Sequence, residues 1–227
     1  MSSRPRQLAL ALDHAESYAR EDFLSGPCNE GPLQVIDCWP EWPANAVALI
    51  GPEGSGKTHL AMIWAAAAGA RVISGRALGE VALPSALATG ALVVEDAATR
   101  TDDRVLFHLL NLAREENASL LLTARTVPAA WPVAIPDLIS RLRALPLATL
   151  QPPDDAMLRA VIVKLAADRQ LMFDESVVGY LSSRIERSFA AARAAVIALD
   201  NEALRQGRPA SRALAAEIFR DSVSSRG

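Results

Sequence analysis

Ala46-Val-Ala-Leu-Ile-Gly-Pro-Glu-Gly-Ser-Gly-Lys-Thr58 is the stretch that decides the fold. Ala46 to Ile50 is a short β-type run, residues 51–58 follow the pattern Gly-x4-Gly-Lys-Thr, and Lys57 to Ala68 reads as helix. Strand, glycine loop and helix in that order turn successive backbone N–H groups and a helix N-terminus toward a phosphate. Gly51, Gly54 and Gly56 allow backbone conformations and close approach that a Cβ would obstruct. From this loop Lys57 can reach the β- and γ-phosphates, and the Thr58 hydroxyl can ligate Mg²⁺. Pro52, Ser55 and His59 complete the candidate nucleotide-binding set.

Outward from the loop, strands and helices alternate. Arg71-Val-Ile-Ser74 is a second strand, and Ala91-Leu-Val-Val94 is a third whose continuous apolarity suits burial on both faces of a parallel sheet. Residues 102–116 carry Val105, Leu106, Leu109, Leu110 and Leu112 at helical spacing, and Ser119-Leu-Leu-Leu-Thr123 follows as a fourth strand. Pro128, Pro132 and Pro136 punctuate the next stretch, and residues 146–150 suit an edge strand. The alternation predicts an α/β fold with a doubly wound parallel sheet. After Pro152-Pro153 the pattern becomes helical over 154–169, 174–185, 187–204 and 211–220, with Asp154 and Asp174 where N-caps belong. Three segments are expected: an arm over 1–20, a nucleotide-binding α/β domain over 21–152, and a small all-helical lid over 153–227.

Glu95 and Asp96 end the third strand, and ligands in doubly wound folds sit at the carboxyl ends of strands. They read as an acidic pair in which Glu95 holds a Mg²⁺-bound water and Asp96 polarises an attacking water. Solvated strand-end acids are the other reading. Thr123, ending the fourth strand, is placed to bond near the γ-phosphate or its water. Arg141 and Arg187 would, on residue type alone, be solvated surface charges.

Composition narrows the partners. The 227 residues are 51% hydrophobic but only 5% aromatic, and alanine and leucine abound, which favours helices and small-residue packing over an all-β sandwich. A net charge of −3 supplies no global basic field for nonspecific duplex binding. Cys28 and Cys38 lack metal-ligand spacing and suit a reducing compartment. The start carries no signal-peptide apolar block and the most apolar helix is too short to span a bilayer, so a soluble, cytoplasmic protein is expected, with no membrane partner.

The order of these features resembles the AAA+ ATPases. Asp22-Phe-Leu-Ser-Gly-Pro-Cys-Asn-Glu30, Ile135-Pro-Asp-Leu-Ile-Ser-Arg-Leu142 and Leu150-Gln-Pro-Pro-Asp-Asp155 are similar to segments of the bacterial replication initiator family, DnaA, and more closely of its small Hda-type paralogues. The resemblance covers about residues 20 to 222. It implies that residues 22–30 border the nucleotide's base, that Arg141 is an arginine finger acting on a neighbouring subunit's γ-phosphate, that Thr123 is a sensor, and that Arg187 is the lid residue contacting the protein's own nucleotide. ADP, or ATP, with Mg²⁺ would be the ligand. Gln7-Leu-Ala-Leu-Ala-Leu12 is similar to the peptide that docks on the DNA polymerase III sliding clamp (beta subunit), with Gln7, Leu8, Leu10 and Leu12 as contacts.

Initiators continue into a basic helix-turn-helix domain, which is not expected here since the sequence ends at Gly227, and the span between the second and third strands is short for the helical insertion that initiators use on single-stranded DNA. Both features favour the paralogue. The expected function is negative regulation of replication initiation: bound to the clamp, with DNA contact indirect, the protein would stimulate hydrolysis of DnaA-bound ATP. A homo-oligomer is among the assemblies the resemblance implies. The alternative is an autonomous AAA+ ATPase of DnaA or helicase-loader type that remodels a partner or binds single-stranded DNA.

Overall fold

Every residue of the run Ala46–Ile50 is buried, so the strand it forms must be covered on both sides. The computed structural model describes residues 18–100 and 102–219; the candidate clamp contacts Gln7, Leu8, Leu10 and Leu12 lie outside them. Five strands form the sheet: β1 (Ala46–Ile50), β2 (Arg71–Ser74), β3 (Ala91–Glu95), β4 (Ser119–Ala124) and β5 (Leu147–Thr149). Their order is β2-β3-β4-β1-β5, and every pairing is parallel. The expected α/β class and parallel sheet are therefore present.

Side-chain alternation divides the strands between two layers. Val47, Leu49, Val93 and Leu121 pack with α1 (Glu30–Asp37) and α2 (Lys57–Ala68), through Leu33, Ile36, Leu60, Ile63 and Trp64. Ala48, Ile50, Leu92, Val94, Leu120 and Leu122 face the other layer. That layer holds α3 (Leu83–Ala86), α4 (Asp103–Glu115) and α5 (Pro136–Arg143), with Leu106, Leu109, Leu110, Leu138 and Leu142 as its main apolar contacts. Trp64 stacks on Trp42 with ring centroids 5.0 Å apart and meets Trp39 edge-on at 6.2 Å, closing the α2 layer.

Three helices were not expected from the sequence. In α1, Gly31 and Pro32 dilute the periodic signal, yet proline in a first turn forfeits no helical hydrogen bond, and Leu33 and Ile36 still bury one stripe. Pro136, read as punctuation, is the first residue of α5, with Asp137 in its first turn and Leu138 and Leu142 buried one turn apart. The single turn of α3, Leu-Pro-Ser-Ala, is too short to carry a period.

Residues 154–219 form a separate compact unit. It contains α6 (Asp155–Asp168), α7 (Glu175–Arg184), α8 (Phe189–Gln206) and α9 (Arg212–Ile218) around Leu158, Ile162, Val178, Leu181, Val196, Leu199 and Leu214. Asp154 and Asp174 cap α6 and α7 by accepting from the amides of Met157 (2.7 Å) and Val177 (2.9 Å). Ser188 caps α8 through the Ala191 amide at 3.1 Å, so the helix starts at Phe189 and Arg187 lies in the preceding turn. Among the described residues no helix is long and apolar enough to cross a membrane.

Leu49, fully buried on the inner strand β1, should be expensive to truncate: Leu49→Ala is expected to lose about 3 kcal/mol by urea denaturation. Exposed Leu204→Ala should stay within about 0.5 kcal/mol of wild type.

Candidate nucleotide-binding site

The loop of residues 51–56 joins the carboxyl end of β1 to the first turn of α2. The Gly51 amide donates to the Ala124 carbonyl at 3.2 Å, which fixes the start of the loop to the end of β4. A Cβ on Gly51 would lie 2.7 Å from the Ser55 Oγ and 3.0 Å from the Leu150 carbonyl, so only glycine fits there. Gly54 and Gly56 have φ of +70° and +92°, the left-handed region that side chains disfavour. The backbone curl places the N-terminus of the twelve-residue α2 at the end of the loop.

Lys57 Nζ donates to the carbonyls of Gly51 (2.8 Å) and Pro52 (2.7 Å), so the ammonium curls back over its own loop. Partial burial holds its pKa below the ordinary lysine value; Asp96, Glu53 and Glu95 oppose the shift and Arg125 reinforces it. That field gathers the loop cation and the strand-end acids into one electrostatic cluster. Ser55 is 1% exposed and its hydroxyl has no partner, while the Thr58 hydroxyl belongs to an exposed residue of the first turn. Glycines in left-handed geometry, a poised lysine and an unspent buried hydroxyl fit an oxygen-rich anionic ligand. Thr58 and Glu95 are the candidate Mg²⁺ ligands. Among the described residues no group of three His, Cys, Asp or Glu gathers as a cage, and a few oxygen donors suit an ion that keeps its waters and takes phosphate oxygens.

Beside the loop, Asp96 sits just past β3 at φ 49° and ψ 47°, a left-handed conformation unusual for a side-chain-bearing residue. Three hydrogen bonds and the absence of a side chain on Gly75 keep it there. Its amide donates to the Thr123 hydroxyl at 3.0 Å, its carbonyl accepts from the Thr99 amide and hydroxyl at 2.8 Å each, and a Cβ on Gly75 would come within 2.5 Å of that carbonyl. Thr123 is 2% exposed, so its hydroxyl is spent on positioning Asp96 as an acceptor and retains one O–H to donate.

Other expected residues make contacts of their own. The His59 ring meets Tyr18 and Phe23 edge-on at 5.5 and 5.2 Å, and its Nε2 lies 3.3 Å from the Ala19 carbonyl. Those contacts give His59 the role of packing residues 18–23 against α2. The segment over residues 24–29 is a loop tied by buried Asn29, which accepts from the Gly26 amide at 2.8 Å and donates to the Leu24 carbonyl at 2.9 Å. Arg141, in the last turn of α5, lies over the Phe107 ring of α4 with 5.4 Å between guanidinium carbon and ring centroid. Arg187 belongs to the helical unit and pairs with Asp155 at 2.8 Å. It shares there a cleft of about 420 Å³ with Arg159, Ser182 and Ser183.

The fold recurs in known structures. Domain III of the Thermotoga maritima replication initiation protein DnaA superposes with a TM-score of 0.75 at 19% identity, over 91% of this chain and 97% of that one. The chain has the AAA+ P-loop NTPase fold. AMPPCP-bound DnaA from Aquifex aeolicus gives 0.67 at 20% identity, over 84% and 67% of the two chains. The Thermotoga maritima RuvB Holliday junction branch migration motor gives 0.70 at 15% identity, over 90% and 72%. No family model matches the chain.

Sequence reasoning missed Phe107 under Arg141 and the pair formed by Glu53 and Arg125. Phe107 hides among the helical residues of α4, but Arg125 could have been found, since it stands two residues after Thr123 at the same strand end.

Thr123→Val would leave the Asp96 amide without its buried acceptor and is expected to cost about 1–3 kcal/mol in urea denaturation. Thr123→Ser, which keeps the hydroxyl, should lose less than half of that.

Proposed function

We propose that this chain binds an adenine nucleotide at residues 51–58 and acts, in the manner of the Hda-type paralogues, as a negative regulator of replication initiation that stimulates hydrolysis of DnaA-bound ATP. Gly51, Pro52, Gly54, Ser55, Gly56, Lys57 and Thr58 would hold the phosphates, and Thr58 and Glu95 the Mg²⁺. The divalent ion would neutralise phosphate charge when bound. Arg187 would contact the same nucleotide, with ADP as the resident ligand.

The observation that carries the reading is the separation of the two key cations. Lys57 sits in the loop at the carboxyl edge of the sheet, with α2 on one face. Arg141 sits on α5, which packs on the opposite face and runs back from the end of β4 toward the start of β5. A half-exposed arginine on that helix suits another molecule's phosphates better than its own. Delivered to ATP on DnaA, it would stabilise transition-state charge while this chain's own nucleotide keeps a structural role. Gln7, Leu8, Leu10 and Leu12 would dock the protein on the sliding clamp, so that contact with DNA is indirect and the site of action is cytoplasmic.

A second reading has support in one observation: Glu95 and Asp96 both lie within electrostatic reach of Lys57, and Asp96 is held in a strained conformation of the kind found at reacting centres. That favours an autonomous ATPase of DnaA or helicase-loader type.

With ATP-DnaA and DNA-loaded clamp, wild type should accelerate phosphate release, and Arg141→Ala should lose on the order of 10³-fold of that stimulation. A Gln7/Leu10/Leu12 triple alanine variant should lose its dependence on the clamp. No acceleration by wild type rejects the regulator; robust turnover without DnaA, abolished by Asp96→Ala, establishes the autonomous ATPase instead. By calorimetry, Lys57→Ala should bind neither ADP nor ATP, and undiminished affinity would refute the site.

A further inference from the structure

Arg125 is the first residue beyond β4, and the residue before it carries the carbonyl that accepts from the Gly51 amide. The guanidinium therefore emerges at the level of the phosphate loop, on the strand between β1, which leads into the loop, and β3, which leads to Glu95 and Asp96. Its Nη1 meets the Glu53 Oε2 at 2.7 Å, and Glu53 is itself a residue of the loop. The two side chains are 60% and 74% exposed. An ion pair so open to water adds little to folding, so stability is a poor reason for either charge.

Glu53 sets a carboxylate beside a loop shaped for anions, where it would repel the outermost phosphate of a bound nucleotide. Arg125 offsets that charge. A guanidinium has five N–H donors in a planar fork, and one contact to Glu53 leaves several for a second acceptor. Arg125 also acts on Lys57, lowering the lysine's pKa, which marks the two cations as neighbours in one field.

We infer that Arg125 is the cation of this site that recognises the terminal phosphate of a nucleoside triphosphate, and that Glu53 competes with that phosphate for the guanidinium and so sets the preference between diphosphate and triphosphate. The inference rests on the reading of residues 51–58 as a nucleotide site. It adds a selectivity device in which Lys57 secures any nucleotide while Arg125, restrained by Glu53, distinguishes the third phosphate. The restraint accords with a protein whose resident ligand is ADP.

The test is calorimetric titration of the full chain with Mg²⁺-ADP and with Mg²⁺-AMPPCP, a triphosphate that is not hydrolysed. Arg125→Ala should weaken AMPPCP by about tenfold and ADP by less than twofold, the loss expected for one charge-assisted phosphate contact. Arg125→Lys, which keeps the charge without the fork, should recover part of the loss. Glu53→Gln should move the ratio the other way by tightening AMPPCP selectively. A ratio that neither Arg125→Ala nor Glu53→Gln moves, or a loss shared equally by the two nucleotides, overturns the inference while leaving the site intact. Wild type that binds neither nucleotide overturns both the site and the inference.

Discussion

The 3.0 Å hydrogen bond from the Asp96 amide to the Thr123 hydroxyl ties β3 to β4 at the edge of the sheet where the phosphate loop also begins. Much of the site depends on that tie, because β4 lies between β1 and β3. Two strand spacings set the ends of β1 and β3, which lead into the loop and the acids, about 10 Å apart, a gap that phosphates and a hydrated ion can fill. Asp96 leaves the strand in a left-handed turn at that point, and Gly75 removes the Cβ that would collide with its carbonyl. A conformation disfavoured locally by about 1–2 kcal/mol is thus held by neighbours from β2, β4 and the turn that follows.

Charge around this edge is arranged in opposition. Lys57 loses solvation by lying over its own loop, and the nearby acids return part of what burial removes. Its two carbonyl acceptors, on Gly51 and Pro52, keep the ammonium directed along the loop. The same principle governs the arginines: Arg125 has Glu53, Arg187 has Asp155, and Arg141 has the π-face of Phe107. Each of these partnerships is weak, because an exposed ion pair or a single ring contact amounts to about 1 kcal/mol or less.

How far the sequence revealed this differs from residue to residue. Lys57 to Ala68 was legible to the residue, because the glycine loop fixes where the helix starts and Gly69, in left-handed geometry, ends it. The buried strands were legible from their continuous apolar runs. The helices α1 and α5 were not, because Gly31 and Pro32 dilute the period of one and Pro136 read as punctuation, while both prolines serve as first-turn residues. In the site, the loop residues were legible because their spacing is local. The Asp96 to Thr123 hydrogen bond spans 27 residues and the Arg125 to Glu53 pair spans 72, and such partnerships follow from strand order, which no local pattern encodes. The edge-on contacts of His59 with Tyr18 and Phe23 were likewise not legible, because they join residues about 36 to 41 positions apart.

Proteins with different tasks share this fold, so the fold alone does not choose among initiator, regulator and motor. The choice falls to side chains the fold does not need. The parallel sheet, its two helical layers and the four-helix unit are explained by Leu49, Trp64, Leu106, Leu158 and their neighbours, which are fully buried and apolar. Arg125, Arg141 and Arg187 are exposed or half-exposed, contribute little to that packing, and stand at a strand end, in a helix's last turn and in an interhelical turn. Planar cations held at such points by exchangeable partners have a physical rationale in reaching for phosphate oxygens. The proposed function of this chain therefore turns on its arginines, while the glycine loop belongs to the frame that decides the fold.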